Sequence, residues 1–333
     1  MIPDTFDLPV IFAVLMGVAM LAYVVLDGYD LGVGMLMPAA TPAEQEYMVS
    51  SIGPFWDANE TWLVLGIGLL LVAFPVAHGV VLGALYLPVV AMLIGLMLRG
   101  VAFELRVKAD GWHRELWNWL FWGGSFLASL AQGFMLGRYI TGFETGFGYM
   151  LFALLVAGGL CGGYVLLGAT WLIMRTEGEL QKKSHAWARW GLGWVALGIA
   201  LVSAATPLAS DTMRIKWFDF PGTLPLMLLP AASLATGVWL WRETGRLLRG
   251  ESRREWAPFA AAVIIFVLAF LGLAYSLFPF VVMDRLTIWD AAAHPSSLKV
   301  VLAGAAVVLP FIVGYTAFSY RVFRGKARAG LYD

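Results

Sequence analysis

Carboxylic acids stand where one long apolar stretch of the sequence ends and the next begins, and carboxyl groups in such places can bind and release protons. Asp27 and Asp30 lie three residues apart near the end of the first stretch, so a helix presents them on one face. Asp57 and Glu60 repeat this spacing where the second stretch begins. Ionisable groups in a membrane span are energetically costly, and they usually pair with one another or line an ion pathway.

Arg99 and Glu104 are expected to lie at the same depth in the membrane as these four acids. Arg99 lies twenty residues into the third apolar stretch, and Glu104 follows it by a little more than one helical turn. We expect three successive helices to bring these groups together near one membrane boundary, where they carry protons inward. The residues of this predicted proton path are Asp27, Asp30, Asp57, Glu60, Arg99 and Glu104, with Asn59 as a hydrogen-bonding link.

Two structural alternatives to a proton path remain open. Asp57 suits the N-cap of the second helix, and acids in a first turn favour the helix dipole. Arg99 suits an ion pair with one of the acids, which would lock three helices together. Capping explains Asp57 and Glu60 better than it explains Asp27 and Asp30, because the latter two lie at the C-terminal end of a helix, where the dipole disfavours negative charge.

The composition is that of an integral membrane protein. The 333 residues are 60% hydrophobic and 13% charged, whereas about a quarter of an ordinary soluble domain is charged. Lys and Arg balance Asp and Glu at 22 each, so the charge gives no sign of nucleic-acid binding. One cysteine allows no multi-thiolate metal site, and the four histidines fall in or beside connecting segments. We therefore expect no metal or haem ligand and no catalytic residue in this chain.

The lengths of the apolar stretches predict an all-α protein with nine transmembrane helices. A bilayer core of about 30 Å requires about 20 apolar residues. The predicted spans are residues 8–37, 60–76, 79–104, 115–140, 148–175, 187–208, 222–242, 256–281 and 296–321. The connections and tail on one predicted face carry 16 Lys and Arg residues, and those on the other face carry four. Because the cytoplasmic side of a membrane protein is richer in Lys and Arg, this difference predicts the N-terminus outside and the C-terminus inside. No connection exceeds about twenty residues, which leaves no room for a soluble catalytic domain.

A faint internal similarity suggests how the spans are grouped within a single polytopic domain, residues 1–333. The segment YVVLDGYDLG (23–32) in the first span is similar to YVLLGATWLI (164–173) in the fifth. We expect two four-helix bundles, formed by pseudo-repeats 1–145 and 146–285, plus one additional helix at 296–321.

Several motifs resemble those of the second subunit of cytochrome bd-type quinol oxidases, including the cyanide-insensitive branch. The more specific ones are LDGYDLGVGML (26–36) and SIGPFWDANETWLV (51–64). The others are Arg99 with GVAFELR (100–106) after it, LFPFVV (277–282), LTIWDA (286–291) and GLY (330–332). The similarity of pattern covers essentially the whole chain.

The resemblance implies a haem-free subunit of a terminal oxidase that oxidises quinol and reduces dioxygen to water. Such a subunit packs on the haem-bearing subunit I, which holds haem b and haem d, in the bacterial cytoplasmic (inner) membrane. It stabilises that partner and contributes to proton and dioxygen access. The resemblance also allows a quinone as a structural ligand and small single-helix subunits as further partners.

The resemblance assigns roles to individual positions. Asp57 and Arg99 match family positions near the subunit interface, where Trp56 and Asn59 are also expected, and Trp62 matches a position beside an apolar dioxygen route. The family often has Gly at the position of Ala58 and Gln or Glu at the position of Glu60, which leaves Glu60 less certain than Asp57.

Two other functions fit intramembrane acids. The chain could be a stand-alone proton-coupled transporter, although such proteins use discontinuous helices at the membrane midplane, whereas these acids gather at one boundary. A purely structural assembly factor is the third candidate.

Overall fold

The computed structural model describes residues 7–219 and 223–328. The predicted motif at 330–332 lies outside the described residues. The helices are α1 (Leu8–Leu36), a 3-10 turn (Met37–Ala39), α2 (Pro42–Ile52), α3 (Trp56–Ala73), α4 (Pro75–Ala84), α5 (Tyr86–Arg106), α6 (Gly111–Ile140), α7 (Phe147–Arg175), α8 (Gly178–Ala209), α9 (Asp211–Phe218), α10 (Thr223–Leu248), α11 (Ala257–Leu277), α12 (Ile288–Ala291) and α13 (Pro295–Val322).

Each predicted span contains a long helix. Seven helices in the described part of the chain, namely α1, α3, α5, α7, α8, α11 and α13, are long and apolar enough to cross a membrane. Together with the composition, they make the chain an integral membrane protein. Helices α6 and α10 are also long, and their crossing stays a prediction, as do the count of nine spans and the orientation of the termini.

The predicted third span, 79–104, is divided in the structure. Helix α4 ends before Leu85, and α5 starts at Tyr86. Pro88 explains the break, because proline has no N–H to donate to the carbonyl four residues earlier and its ring crowds that carbonyl. Pro75 likewise occupies the first position of α4, directly after Phe74 leaves the helical conformation.

Several smaller elements were not predicted, among them α2 and a strand hairpin. Helix α2 begins with a capping box, in which the Thr41 hydroxyl accepts from the Glu44 N–H while the Glu44 carboxylate accepts from the Thr41 N–H. Burial tends to raise the pKa of Glu44, but hydrogen bonds from Lys183 and Thr41 outweigh it and lower that pKa.

After α11, the strands β1 (Phe280–Val282) and β2 (Leu286–Thr287) pair as a short antiparallel hairpin. The hairpin is an addition to the expected all-α architecture.

Glycines let the backbones of α1 and α7 touch. A Cβ built on Gly32 would lie 1.8 Å from the carbonyl oxygen of Tyr164, and one built on Gly168 would lie 2.5 Å from the carbonyl carbon of Gly32. Every residue of α1 from Asp27 to Gly34 is buried. This close crossing encloses the end of α1 that carries the paired acids, whereas α13 lies at the edge of the molecule with only Leu298 buried.

We expect Gly32→Ala to destabilise the protein by about 1–3 kcal/mol or more, because the added methyl group would overlap backbone atoms that cannot move aside. The matched control is Gly193→Ala in α8, where a Cβ would meet no atom within 4 Å. Thermal unfolding of the purified protein measures the difference. Equal unfolding temperatures for the two variants would contradict the backbone contact between α1 and α7.

Candidate functional site

A buried ion pair joins the C-terminal half of α1 to α5. Arg99 donates from Nη1 to Oδ1 of Asp27 at 2.6 Å, and the two side chains are 1% and 0% exposed. The Trp56 ring lies against the guanidinium, whose central carbon is 5.7 Å from the ring centroid. Because both charges are removed from solvent, their attraction is screened far less than that of a surface pair.

Asp30 lies beside this pair and is held from α3. Asn59 donates from Nδ2 to Oδ2 of Asp30 at 2.8 Å, and both residues are buried. We refer to Asp27, Asp30, Asn59 and Arg99 as the acid cluster. Within the described residues, three of its atoms have no hydrogen-bond partner, namely Oδ2 of Asp27, Oδ1 of Asp30 and Nη2 of Arg99. Buried carboxylate oxygens without a hydrogen-bond donor are energetically costly, so these two acids are the strained part of the cluster.

Two tyrosines complete a closed ring of hydrogen bonds with Asn59. Asn59 Nδ2 lies 2.9 Å from the Tyr29 hydroxyl, the Tyr320 hydroxyl lies 3.1 Å from Asn59 Oδ1, and the two hydroxyls are 2.7 Å apart. Since Asn59 donates to Tyr29 and Tyr320 donates to Asn59, the hydrogen of Tyr29 is left for Tyr320. This hydroxyl ring (Tyr29, Asn59, Tyr320) fixes the direction in which the Asn59 amide points, and therefore its bond to Asp30.

Aromatic contacts hold the hydroxyl ring in place. Tyr29 stacks on Trp171 with ring centroids 4.1 Å apart, and Tyr320 stacks on Phe55 at 4.4 Å. Stacked rings at these separations are favourable beyond the area they bury. Neither tyrosine is predicted from the sequence as part of the site, because nothing in the spacing of the eleven tyrosines distinguishes these two.

A second set of polar side chains extends along α1 away from the acid cluster. Tyr23 lies one helical turn before Asp27 on the same face. Gln132 of α6 donates from Nε2 to the Tyr23 hydroxyl at 2.6 Å, and its Oε1 accepts from Tyr164 of α7 at 2.6 Å. These residues were not predicted either. The amide of Gln132 inside an apolar helix does indicate a buried hydrogen-bond partner, but the sequence does not identify that partner.

The acids predicted for the proton path lie at graded depths. Asp57 is exposed, Glu60 is half-buried, and Asp27 is fully buried. Glu60 is near enough to interact electrostatically with Arg99, Asp27 and Asp57. The structure therefore brings together Asp27, Asp30, Asn59, Glu60 and Arg99, with Asp57 at the surface.

Glu104 is the predicted member that the structure does not bring to the acid cluster. It is exposed on α5, and five residues of helix turn it about 140° around the axis from Arg99. The capping alternative for Asp57 is also wrong in detail. The N-cap of α3 is Phe55, without a side-chain hydrogen bond, and Asp57 is the second residue of the helix.

The other predicted positions differ in how far they reach the surface. Trp56 is half-buried and Asp57 is exposed, so both can contact a partner. Asn59 and Arg99 are each 1% exposed and point into this chain, so any influence on a subunit interface passes through their neighbours. Trp62 is buried on α3. The interface and dioxygen roles of these residues stay predictions.

The residues of the acid cluster do not suit a metal or a haem. Within the described residues, there is no group of three or more His, Cys, Asp and Glu side chains that could hold a metal ion. The acid cluster offers carboxylate and amide groups rather than the imidazole or thiolate that usually ligates haem iron. Among the histidines, His185 is buried in α8 and His294 caps α13. The absence of a haem ligand in this chain stays a prediction.

Known proteins are similar to this chain over nearly its whole length. The chain is 29% identical to "Cytochrome bd-I ubiquinol oxidase subunit 2" of Escherichia coli (strain K12), covering 95% of this chain and 94% of that protein. It is 28% identical to "Cytochrome bd ubiquinol oxidase subunit 2" of Bacillus subtilis (strain 168), covering 94% and 95%.

A solved structure has the same fold. The bd oxidase from Geobacillus thermodenitrificans contains a chain that matches with a TM-score of 0.79 at 16% identity, covering 96% of this chain and 99% of that one. The sequence profile described as "Cytochrome bd terminal oxidase subunit II" matches residues 8–323. Because this match spans most of the chain, the protein belongs to the cytochrome bd terminal oxidase subunit II family.

Proposed function

We propose that this chain is the haem-free second subunit of a terminal oxidase that oxidises quinol and reduces dioxygen to water. Its partner is the haem-bearing subunit I, which holds haem b and haem d, and the complex lies in the bacterial cytoplasmic membrane. In addition to stabilising this partner, the chain supplies protons for water formation. The observation that carries the proton role is the acid cluster, which is buried yet approached from the surface through Asp57 and Glu60.

The haems of the partner supply the electron-transfer and oxygen chemistry. Reduction of one dioxygen to two waters takes four electrons and four protons, and two quinols provide the electrons. Asp57 is exposed in the first turn of α3 and forms the outer end of the proposed path. Glu60, one helical turn further along α3, is half-buried and interacts electrostatically with Asp57 and with both members of the ion pair, Arg99 and Asp27. Proton transfer between carboxyl groups at increasing depth replaces the passage of a free ion through a low-dielectric region.

Arg99 makes this arrangement possible by holding a fixed positive charge at the buried end. The charge compensates one carboxylate, and Asp30 remains as a second group beside the pair. The transporter alternative is not favoured, because α1 and α3, which carry the acids, are continuous helices, whereas transporter sites are built from helices broken at the midplane.

Asp57→Ala is expected to slow quinol-driven oxygen uptake by about tenfold, equivalent to about 1.4 kcal/mol, because the surface end of the path is lost. Asp57→Glu is expected to retain most of the uptake, since the carboxyl is kept. Glu104→Ala is the matched control, because Glu104 is exposed on the neighbouring α5 but is not joined to the acid cluster. Normal uptake by an assembled Asp57→Ala complex would remove Asp57 from the path.

Arg99→Leu is expected to destabilise the protein by about 3–5 kcal/mol, because it leaves Asp27 buried without its counter-charge. The double variant Asp27→Leu/Arg99→Leu removes both charges and is expected to recover most of this stability while oxygen uptake stays low. Thermal unfolding and oxygen uptake of the same preparations separate the two effects. If uptake recovers together with stability in the double variant, the pair is only a structural lock.

Tyr320→Phe is expected to cost about 1 kcal/mol of stability and to slow oxygen uptake several-fold, since the hydroxyl that orients Asn59 is lost. The control is Tyr315→Phe on the same helix, where the side chain is 65% exposed. Uptake is measured at saturating quinol, with unfolding temperature as the second measurement. A loss of uptake of the same size in both variants would show that the hydroxyl ring has no specific role.

A further inference from the structure

The connection between α10 and α11 encloses a charged cavity that plays no part in the proton path. The cavity has a volume of about 330 Å³ and is lined by Glu243, Arg246, Glu251, Ser252, Arg253 and Arg254. We refer to these residues as the arginine pocket. Its side chains come from the last two turns of α10 and from the segment that leads to α11.

Both carboxylates of the arginine pocket are already engaged by other side chains. Glu243 is 3% exposed and accepts hydrogen bonds from Arg246 Nη1 at 3.1 Å and from the Ser252 hydroxyl. Glu251 accepts from Arg249 through Nε at 2.6 Å and through Nη2 at 3.0 Å. Each glutamate is therefore matched by an arginine.

Two positive charges are left over. Within the described residues, the guanidinium groups of Arg253 and Arg254 have no carboxylate partner, and both residues are exposed. A guanidinium presents N–H donors in a planar fork that matches the oxygens of a phosphate. Two uncompensated guanidinium groups at one cavity suit a ligand that carries a phosphate group.

Aromatic residues place this cavity at the level of the lipid headgroups. Trp256 directly precedes α11 and is 60% exposed, and Trp239 and Trp241 on α10 are 44% and 47% exposed. Exposed tryptophans next to apolar helices mark the boundary between membrane and water. Basic pockets at this level on the inner side of membrane proteins bind anionic headgroups.

We propose that the arginine pocket binds the phosphate of an anionic phospholipid, with Arg253 and Arg254 as the principal ligands. The phosphate sits between the two guanidinium groups, and the acyl chains extend past Trp256 along the apolar surface of α11. A zwitterionic lipid is a poorer ligand, because its own positive charge repels the arginines.

The test uses the purified oxidase complex in nanodiscs that contain phosphatidylcholine with or without phosphatidylglycerol. Native mass spectrometry counts the phosphatidylglycerol molecules that remain bound to the oxidase complex after the complex is released from the nanodisc. A basic residue near the membrane surface contributes about 1 kcal/mol of attraction, which corresponds to about fivefold in affinity. We expect Arg253→Gln to weaken retention about fivefold and Arg253→Gln/Arg254→Gln about 30-fold.

The matched control is Arg324→Gln, which removes one exposed arginine near the C-terminal end of the chain. It is expected to leave retention unchanged. Arg253→Lys keeps the charge and is expected to retain more lipid than Arg253→Gln, which guards against a loss caused by misfolding of the connection.

Two results would overturn the proposal. One is equal retention of phosphatidylglycerol by the wild-type protein and the double variant. The other is displacement of the lipid by millimolar inorganic phosphate, which would make the pocket a site for a soluble anion. Retention that depends on Arg253 and Arg254 and survives inorganic phosphate would support a lipid site.

Discussion

The ion pair between Asp27 and Arg99 is the constraint on which the architecture around the acid cluster depends. Two opposite charges are 2.6 Å apart and excluded from solvent, and removing charges from water is costly unless their geometry is close to ideal. The pair therefore requires α1 and α5 to stay in register. The close contact of Gly32 with Tyr164 of α7 fixes the position of the same end of α1 against a second helix.

The last helix contributes polar contacts more than packing. Only Leu298 of α13 is buried, and Tyr320 is the residue through which the helix reaches Asn59. The segment after α13 is also attached, since Arg175 Nη1 donates to the Phe323 carbonyl at 2.7 Å and Ala327 N–H donates to the Arg175 carbonyl at 2.7 Å. The helix is thus held at its C-terminal end, and most of its other residues are exposed or half-buried in this chain.

The sequence predicts the charged part of the site better than the uncharged part. Asp27, Asp30 and Arg99 are identified because an ionisable group in an apolar stretch is rare and needs a partner. Tyr320 could not be found in this way, since its role depends on where the last helix meets Asn59, a contact between residues 261 positions apart in the chain. Glu104 is exposed although it follows Arg99 closely, because five residues of helix place it about 140° around the axis of α5, and depth along a helix does not predict this angle.

The separation of Asp27 from Arg99 along the chain has a consequence for biogenesis. The two residues are 72 positions apart, and a ribosome needs about 4–14 s to add that many residues at roughly 5–20 residues per second. The first helix therefore leaves the ribosome with two carboxylates whose counter-charge has not yet been synthesised. The C-terminal end of α1 cannot form its ion pair until α5 has been synthesised, so the membrane integration of α1 is coupled to that of α5.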